Sequence, residues 1–158
     1  MNGPNDTSTR RRLRVKIVPL APVHLDEVMA IEHLAFATPW RTEDFTQLIE
    51  NPEAINLAAV ESGRVVGYSC AWRVIECAEL GNIAVLPECQ GKGVARALLE
   101  TTLKACRRKK AEVLFLEVRA SNNRAVELYE RYGFSRIGLR RAYYSQPVED
   151  ALIMKLVL

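Results

Sequence analysis

The sequence lacks any run of apolar residues approaching the roughly 18 that a bilayer-spanning helix requires, so it holds no candidate membrane span. Its first twelve residues, rich in Asn, Thr and Arg, have no apolar stretch after their charges and do not read as a secretory signal. Cysteine is sparse: Cys70, Cys77, Cys89 and Cys106 form no C-x-x-C pair, and His24 and His33 lie far from them. Neither a metal site nor a disulfide framework is expected, and isolated thiols suit a reducing, cytoplasmic address. Charge of one sign is also missing. The 22 Lys and Arg exceed the 19 Asp and Glu by three. Residues 1–14 hold four of those arginines and Asp6, which leaves 18 positive against 18 negative in the remainder. A body so balanced is not built for direct nucleic-acid binding.

What is present is an ordinary globular composition, 49% hydrophobic and 26% charged over 158 residues. That length predicts one domain over residues 13–158, preceded by a disordered tail over 1–12. Leu13–Leu20 reads as a first strand. From Pro22, Leu25, Val28, Met29, Glu32 and Ala35 recur at helical spacing, and Pro39 ends the helix. Trp40–Glu50 reads as a second helix with Thr42 as N-cap. Ile55–Val60 and Val65–Ile75 are β-prone runs joined by a Glu61-Ser62-Gly63-Arg64 hairpin signal. Glu76–Glu79 reads as the next turn and Leu80–Leu86 as a strand closed by Pro87. A helix follows over Lys92–Lys110, its basic end matching the helix dipole. The apolar run Val113–Val118 predicts a strand buried on both faces. Ser121 and Asn122 cap a last helix stopped by Gly133, and strands over Phe134–Tyr144 and Val148–Val157 finish the chain. The order β-α-α-β-β-β-α-β-α-β-β predicts an α/β (α+β) domain with a mixed sheet and helices on both faces.

The segment with the most chemical content is Gln90-Gly91-Lys92-Gly93-Val94-Ala95, between a strand and a helix. Glycines there let backbone N–H groups approach an anion, and the helix aims its positive end at the same point. The spacing is not that of a P-loop, G-x-x-x-x-G-K-S/T. It is not that of a dinucleotide fingerprint either, because Arg96 stands where the third glycine belongs. A tight turn serving only the helix start is the alternative.

Together with Asn82-Ile83-Ala84-Val85 before it, this loop resembles the acetyl-CoA signature Q/R-x-x-G-x-G/A of the GNAT acetyltransferases, matched at Gln90, Gly93 and Ala95. The downstream segments Leu116-Glu117-Val118-Arg119-Ala120-Ser121-Asn122, Leu128-Tyr129-Glu130 and Gly133-Phe134 are similar to the bacterial RimI branch, the ribosomal-protein-alanine N-acetyltransferases. So are Arg140–Tyr144 and Glu149-Asp150-Ala151. The resemblance covers about Val15 to Leu156. It implies the GNAT fold, a mostly antiparallel sheet of about seven strands whose fourth and fifth strands splay, with acetyl-CoA as donor.

Carried onto these positions, the resemblance implies that the backbone of Ile83, Ala84 and Val85 pairs with the pantetheine arm. The N–H groups of Gln90, Gly91, Lys92, Gly93, Val94 and Ala95 would hold the pyrophosphate, with Asn122 near the thiol end. Glu117 would be the general base and Tyr129 the general acid, also touching the cofactor. Backbone donors near Val85 would stabilise the developing oxyanion. The residues support two of these roles independently. Glu117 is the only charge inside Val113–Val118, a costly placement unless it faces a cleft, where it would take a proton from an ammonium; the alternative is an ion pair with Arg119 or Arg124. Tyr129 is either a proton donor to a departing thiolate or a core aromatic, and Tyr143 or Tyr144 could share the donor task. Cys89, beside the loop, has no histidine near it in sequence, which disfavours a covalent route.

The implied acceptor is the N-terminal α-amine, normally of alanine, on a basic small-subunit ribosomal protein. Glu76, Glu79, Glu149 and Asp150 are candidates for acidic docking walls, or for solvated turn residues. Trp40 and Trp72 read as core rather than as acceptor-groove residues. A GNAT acting on another amine and a non-catalytic acyl-CoA-binding module are the competing readings. No direct nucleic-acid partner and no membrane partner are expected, and the chain is expected to act as a monomer or weak dimer.

Overall fold

The computed structural model describes residues 12–158, where seven strands and four helices follow the chain order that apolar spacing predicts. The strands are β1 (Lys16–Pro19), β2 (Ala54–Glu61), β3 (Arg64–Val74), β4 (Cys77–Val85), β5 (Val113–Arg119), β6 (Ser135–Tyr144) and β7 (Glu149–Val157). The helices are α1 (Leu25–Ala35), α2 (Thr42–Glu50), α3 (Val94–Arg108) and α4 (Asn123–Arg131). They form one sheet in the order β1-β2-β3-β4-β5-β7-β6, antiparallel at every junction except the parallel β4/β5 pair. No helix among the described residues is long and apolar enough to cross a membrane.

The β4/β5 pair positions the site. Its register runs from Cys77 opposite Val113 to Leu80 opposite Leu116 and stops there. Against β3, β4 continues as far as Val85 opposite Gly67, but the register shifts at Cys70/Ala71, so Gly81 is an inserted residue. Such a bulge twists its strand away from a straight ladder. Beyond it, β4 and β5 part, and the β4 edge from Asn82 to Val85 faces an opening. The expected splay of the fourth and fifth strands is therefore present.

Helices cover both faces. Val28, Ile31 and Phe45 from α1 and α2 pack with Tyr68 and Cys70 of β3 on one face. Leu99 and Leu103 of α3, with Val126 and Tyr129 of α4, pack on Leu114, Leu116 and Met154 on the other. Each such fully buried side chain contributes about 1.5–3 kcal/mol, so the helices are held by their apolar stripes rather than by propensity.

Several expectations need correction. The tail assigned to 1–12 lies outside the described residues except for Arg12, whose side chain packs beside Gly93. The β3–β4 turn falls at Ile75–Glu76, and the strand begins three residues earlier than predicted, at Cys77. The N-cap of α2 is Arg41, whose N–H is satisfied at 2.9 Å by the Asp44 carboxylate, so a side chain inside the first turn does the work expected of Thr42. Most informative is β5. Leu114, Leu116 and Val118 are buried, whereas Phe115, Glu117 and Arg119 are only half-buried. The second face of this apolar strand lines a cleft instead of a helix.

Candidate active site

After Leu86 the chain makes one 3-10 turn, Pro87–Cys89, and enters α3 through Gln90-Gly91-Lys92-Gly93. Gly93 caps the helix with φ +89°, ψ 7°, a left-handed conformation that costs an L-residue about 1–2 kcal/mol. Among the described residues, no hydrogen-bond acceptor meets the N–H groups of Gly91, Lys92, Gly93, Val94, Ala95 and Arg96. Six successive free donors at the positive end of a fifteen-residue helix form an anion cradle. Gln90 does not supply the donor expected of it, because its N–H closes on the Pro87 carbonyl at 3.3 Å. Its side chain instead bridges the Val85 carbonyl (3.3 Å) and the Arg124 guanidinium (3.5 Å), tying the loop to β4 and α4. Behind the loop, the Lys92 carbonyl accepts from Leu13 N–H at 3.1 Å.

A cleft of about 1540 Å³ joins this cradle to the parted strands. Every residue assigned to the site from the sequence lines it except Lys92: Ile83, Ala84 and Val85 along the β4 edge, Gln90, Gly91, Gly93, Val94 and Ala95 at the loop, and Glu117, Asn122 and Tyr129 opposite. Asn122 is the N-cap of α4, its Oδ1 accepting from Ala125 N–H at 3.3 Å.

Glu117 sits one residue past the last β4/β5 pair, at the mouth of the opening. It is ion-paired, but with neither Arg119 nor Arg124: Arg140 of β6 reaches it with Nε 2.6 Å from Oε1. Arg119 instead holds Glu149 (3.3 Å) and stacks 4.4 Å over the Tyr144 ring. The Tyr143 phenol is raised above its usual pKa by a hydrogen bond to Glu117 and by burial. Tyr144 is pushed up to about 12, first by burial and then by the charge of Glu117. Tyr129 is 4% exposed and raised by burial, with Tyr144 close enough to add to the shift. Two phenols that keep their protons, Tyr143 and Tyr144, thus sit close to Glu117, and Tyr129 lies beside Tyr144. Cys89 is buried and lines the cleft behind the loop.

The tryptophans follow expectation in part: Trp40 packs against the core beside Phe45, yet both rings reach the cleft. Trp40 and Trp72 are half-buried and line the cleft, their ring centroids 6.3 Å apart. Of the four acidic candidates, Glu149 is engaged by Arg119 and by Ser121 N–H (2.6 Å), and Asp150 accepts from Ala142 N–H (2.8 Å). Glu76 stays in the exposed β3–β4 turn, and Glu79 lines the cleft beside Phe115.

Glu32 was legible only as one position of the α1 apolar stripe, yet it is a fully buried carboxylate. Its oxygens accept from Trp40 N–H (2.9 Å), from Asn82 Nδ2 (3.1 and 3.2 Å) and from the Tyr68 phenol. Burial raises its pKa, and the Trp40 and Asn82 hydrogen bonds work against that rise. A charged residue on an otherwise apolar helix stripe was the signal for it.

Comparison with known proteins agrees with this geometry. The sequence model of the acetyltransferase (GNAT) family matches residues 25–134. The ribosomal protein bS18-alanine N-acetyltransferase of Escherichia coli (strain K12) is 36% identical over 142 residues, covering 89% of this chain and 95% of that protein. A Bacillus subtilis protein given the same name provisionally is 39% identical over 131 residues, covering 82% and 87%. The crystal structure of the E. coli enzyme superposes with a TM-score of 0.84 at 35% identity, covering 91% of this chain and 94% of that one. Ard1 from Thermoplasma volcanium, 23% identical with a TM-score of 0.85 over 91% and 97% of the two chains, shares the fold.

Proposed function

The chain belongs to the acetyltransferase (GNAT) family, and from that premise we propose that it transfers an acetyl group from acetyl-CoA to the α-amine of an N-terminal alanine on a small-subunit ribosomal protein. The observation that carries the transfer chemistry is the junction of three features in one cleft: the free N–H series from Gly91 to Arg96, the unpaired β4 edge, and Glu117 facing them. The named relatives, at 36–39% identity over more than four-fifths of the chain, support the choice of acceptor.

The residues present fit acetyl-CoA. A diphosphate offers the oxygens that the loop donors lack, and the amides of a pantetheine arm match an open strand edge, as an added strand would. When bound, acetyl-CoA supplies an acetyl group already activated as a thioester. Glu117, present as a carboxylate in its ion pair with Arg140, takes a proton from the acceptor ammonium, directly or through water. The freed amine then forms the C–N bond as the C–S bond breaks. Tyr129, which burial keeps protonated, donates its proton to the departing sulfur and is restored by the second proton, which the nitrogen sheds as it becomes an amide. Asn122, at the start of α4, orients the arm near that sulfur. An α-amine, with a reference pKa near 7.7–8.0, is easier to deprotonate than a lysine near 10.4, and so suits a carboxylate base.

Release of free CoA tests the reading with three acceptors: a basic peptide beginning with alanine, its N-terminally blocked copy containing lysine, and a polyamine. Turnover confined to the first supports it. Equal turnover on the blocked peptide rejects the N-terminal assignment in favour of another amine.

A further inference from the structure

We propose that Trp40 and Trp72 form the wall that receives the side chain of the acceptor's first residue, that they restrict it to small residues, and that Glu32 positions this wall. The inference rests on the N-terminal reading above and deepens it.

The first support is steric. A Cβ added at Gly81 would lie 2.4 and 2.5 Å from Trp72 ring carbons and 2.9 Å from a Trp40 ring carbon. The two indoles therefore rest directly on the β4 main chain at its bulge, tilted 43° to each other. The register then locates them. Trp72 pairs with Glu79, and Glu79 with Phe115, so Trp72 shares a sheet face with Phe115 and, two residues on, with Glu117. The α3 helix packs on the opposite face, where Ser69 meets Thr102. Gly81 and Glu117 each lie one residue beyond the last β4/β5 pair, on either side of the opening. An amine delivered to Glu117 thus carries its first side chain toward the indoles.

The second support is the way the wall is held. Glu32 grips Trp40 by the main-chain N–H rather than by the ring, and the same carboxylate takes the Asn82 amide just past the bulge. A fully buried carboxylate is costly, and here its hydrogen bonds fix the α1–α2 connection against β3 and β4 at one height. The rings seated on Gly81 fill the space that a side chain there would take. A methyl group can lie flat on an indole there; a branched side chain cannot enter without displacing one.

The test uses the full chain and basic peptides identical except for a first residue of Ala or Leu. Wild type should favour Ala over Leu by at least about tenfold in kcat/KM, the scale on which a hydrophobic pocket discriminates by size. Trp72→Ala should compress that ratio at least about tenfold by improving the Leu peptide. Trp72→Phe, which preserves an aromatic filling, should move it partway and decides the matter if the alanine variant does not fold. Glu32→Gln should raise KM for the acceptor more than it lowers kcat, with acetyl-CoA affinity changing least. The chain has only these two tryptophans, so peptide titration should also change tryptophan emission without turnover. Folded Trp72 variants with an unchanged Ala-to-Leu ratio would overturn the wall while leaving the N-terminal reading intact. A wild-type protein that acetylates only the blocked, lysine-containing peptide would overturn both.

Discussion

Substituting Gly93 by alanine separates the two things its left-handed bend does. At φ +89° an L-residue is strained by about 1–2 kcal/mol, and the new Cβ would sit 3.1 Å from Arg12 Nε, the end of a side chain that can swing aside. Strain, not collision, sets the cost. For a domain of this size each kcal/mol lowers Tm by about 2–4 °C, so the unliganded variant should melt about 2–8 °C below wild type. The chain can relieve the strain by rotating out of the bend, which turns neighbouring N–H groups away from the cradle. Losing one charge-assisted hydrogen bond costs about 1.5–3 kcal/mol, or about 10–150-fold in acetyl-CoA affinity. Calorimetric titration with acetyl-CoA, paired with melts in its presence and absence, reads both effects. Gly133→Ala is the control. It imposes similar strain at φ +91° where α4 ends, and Gly133 does not line the cleft. It should lower Tm alike and leave the ligand-induced shift intact. A Gly93 variant that is destabilised but binds acetyl-CoA within twofold of wild type would refute the cradle.

Glu117→Gln should lower kcat by about two to four orders of magnitude while calorimetry finds acetyl-CoA binding unchanged; activity within threefold of wild type would remove Glu117 as the base. Cys89→Ala should keep near-normal turnover, and a failure to trap acetylated protein in wild type by mass spectrometry would agree. Glu32 carries a pH signature. Burial raises its folded-state pKa, so between the unfolded and folded values the native state binds more protons and stability falls as pH rises through that window. Glu32→Gln removes this loss, so thermal melts should show the variant gaining on wild type as pH rises above the unfolded glutamate value of about 4.3. A difference in Tm independent of pH would contradict the assigned burial effect.

The fold was legible where one-dimensional period decides it. The α1 and α3 stripes, the Ser62–Gly63 turn and the Gly133 stop are local, and the structure places them where spacing does. The β5 strand shows the limit. Six nearly uniform apolar residues imply burial on both faces, but whether a helix or a cleft covers the second face depends on where β4 diverges, which the bulge at Gly81 marks. A single glycine in a strand signals a bulge or a close approach without saying which, and here it is both. The two tryptophans follow from the same cause. Large aromatics read as core by default, and they line the cleft because the backbone beneath them has no side chain of its own.

The partner of Glu117 was illegible for a different reason. In sequence it stands alone among apolar residues, with Arg119 and Arg124 as the nearest cations. Side chains alternate along a strand, but ion pairing across a sheet is set by register two strands away. Glu117 lies opposite Ile153 of β7, Ile153 opposite Gly138 of β6, and Arg140 stands two residues further along. Strands about 4.8 Å apart put β6 roughly 10 Å from β5, a gap that an arginine side chain spans. The β6/β7 ladder also shifts register between Arg136 and Gly138, leaving Ile137 as an extra residue. The pairs on either side of it, Arg136 with Met154 and Gly138 with Ile153, are consecutive on β7, so the extra residue is absorbed locally and Arg140 keeps the face of Glu117 through its own pairing opposite Ala151. The electrostatics of the Glu117 carboxylate are therefore set by the pairing register of an edge strand two strands away.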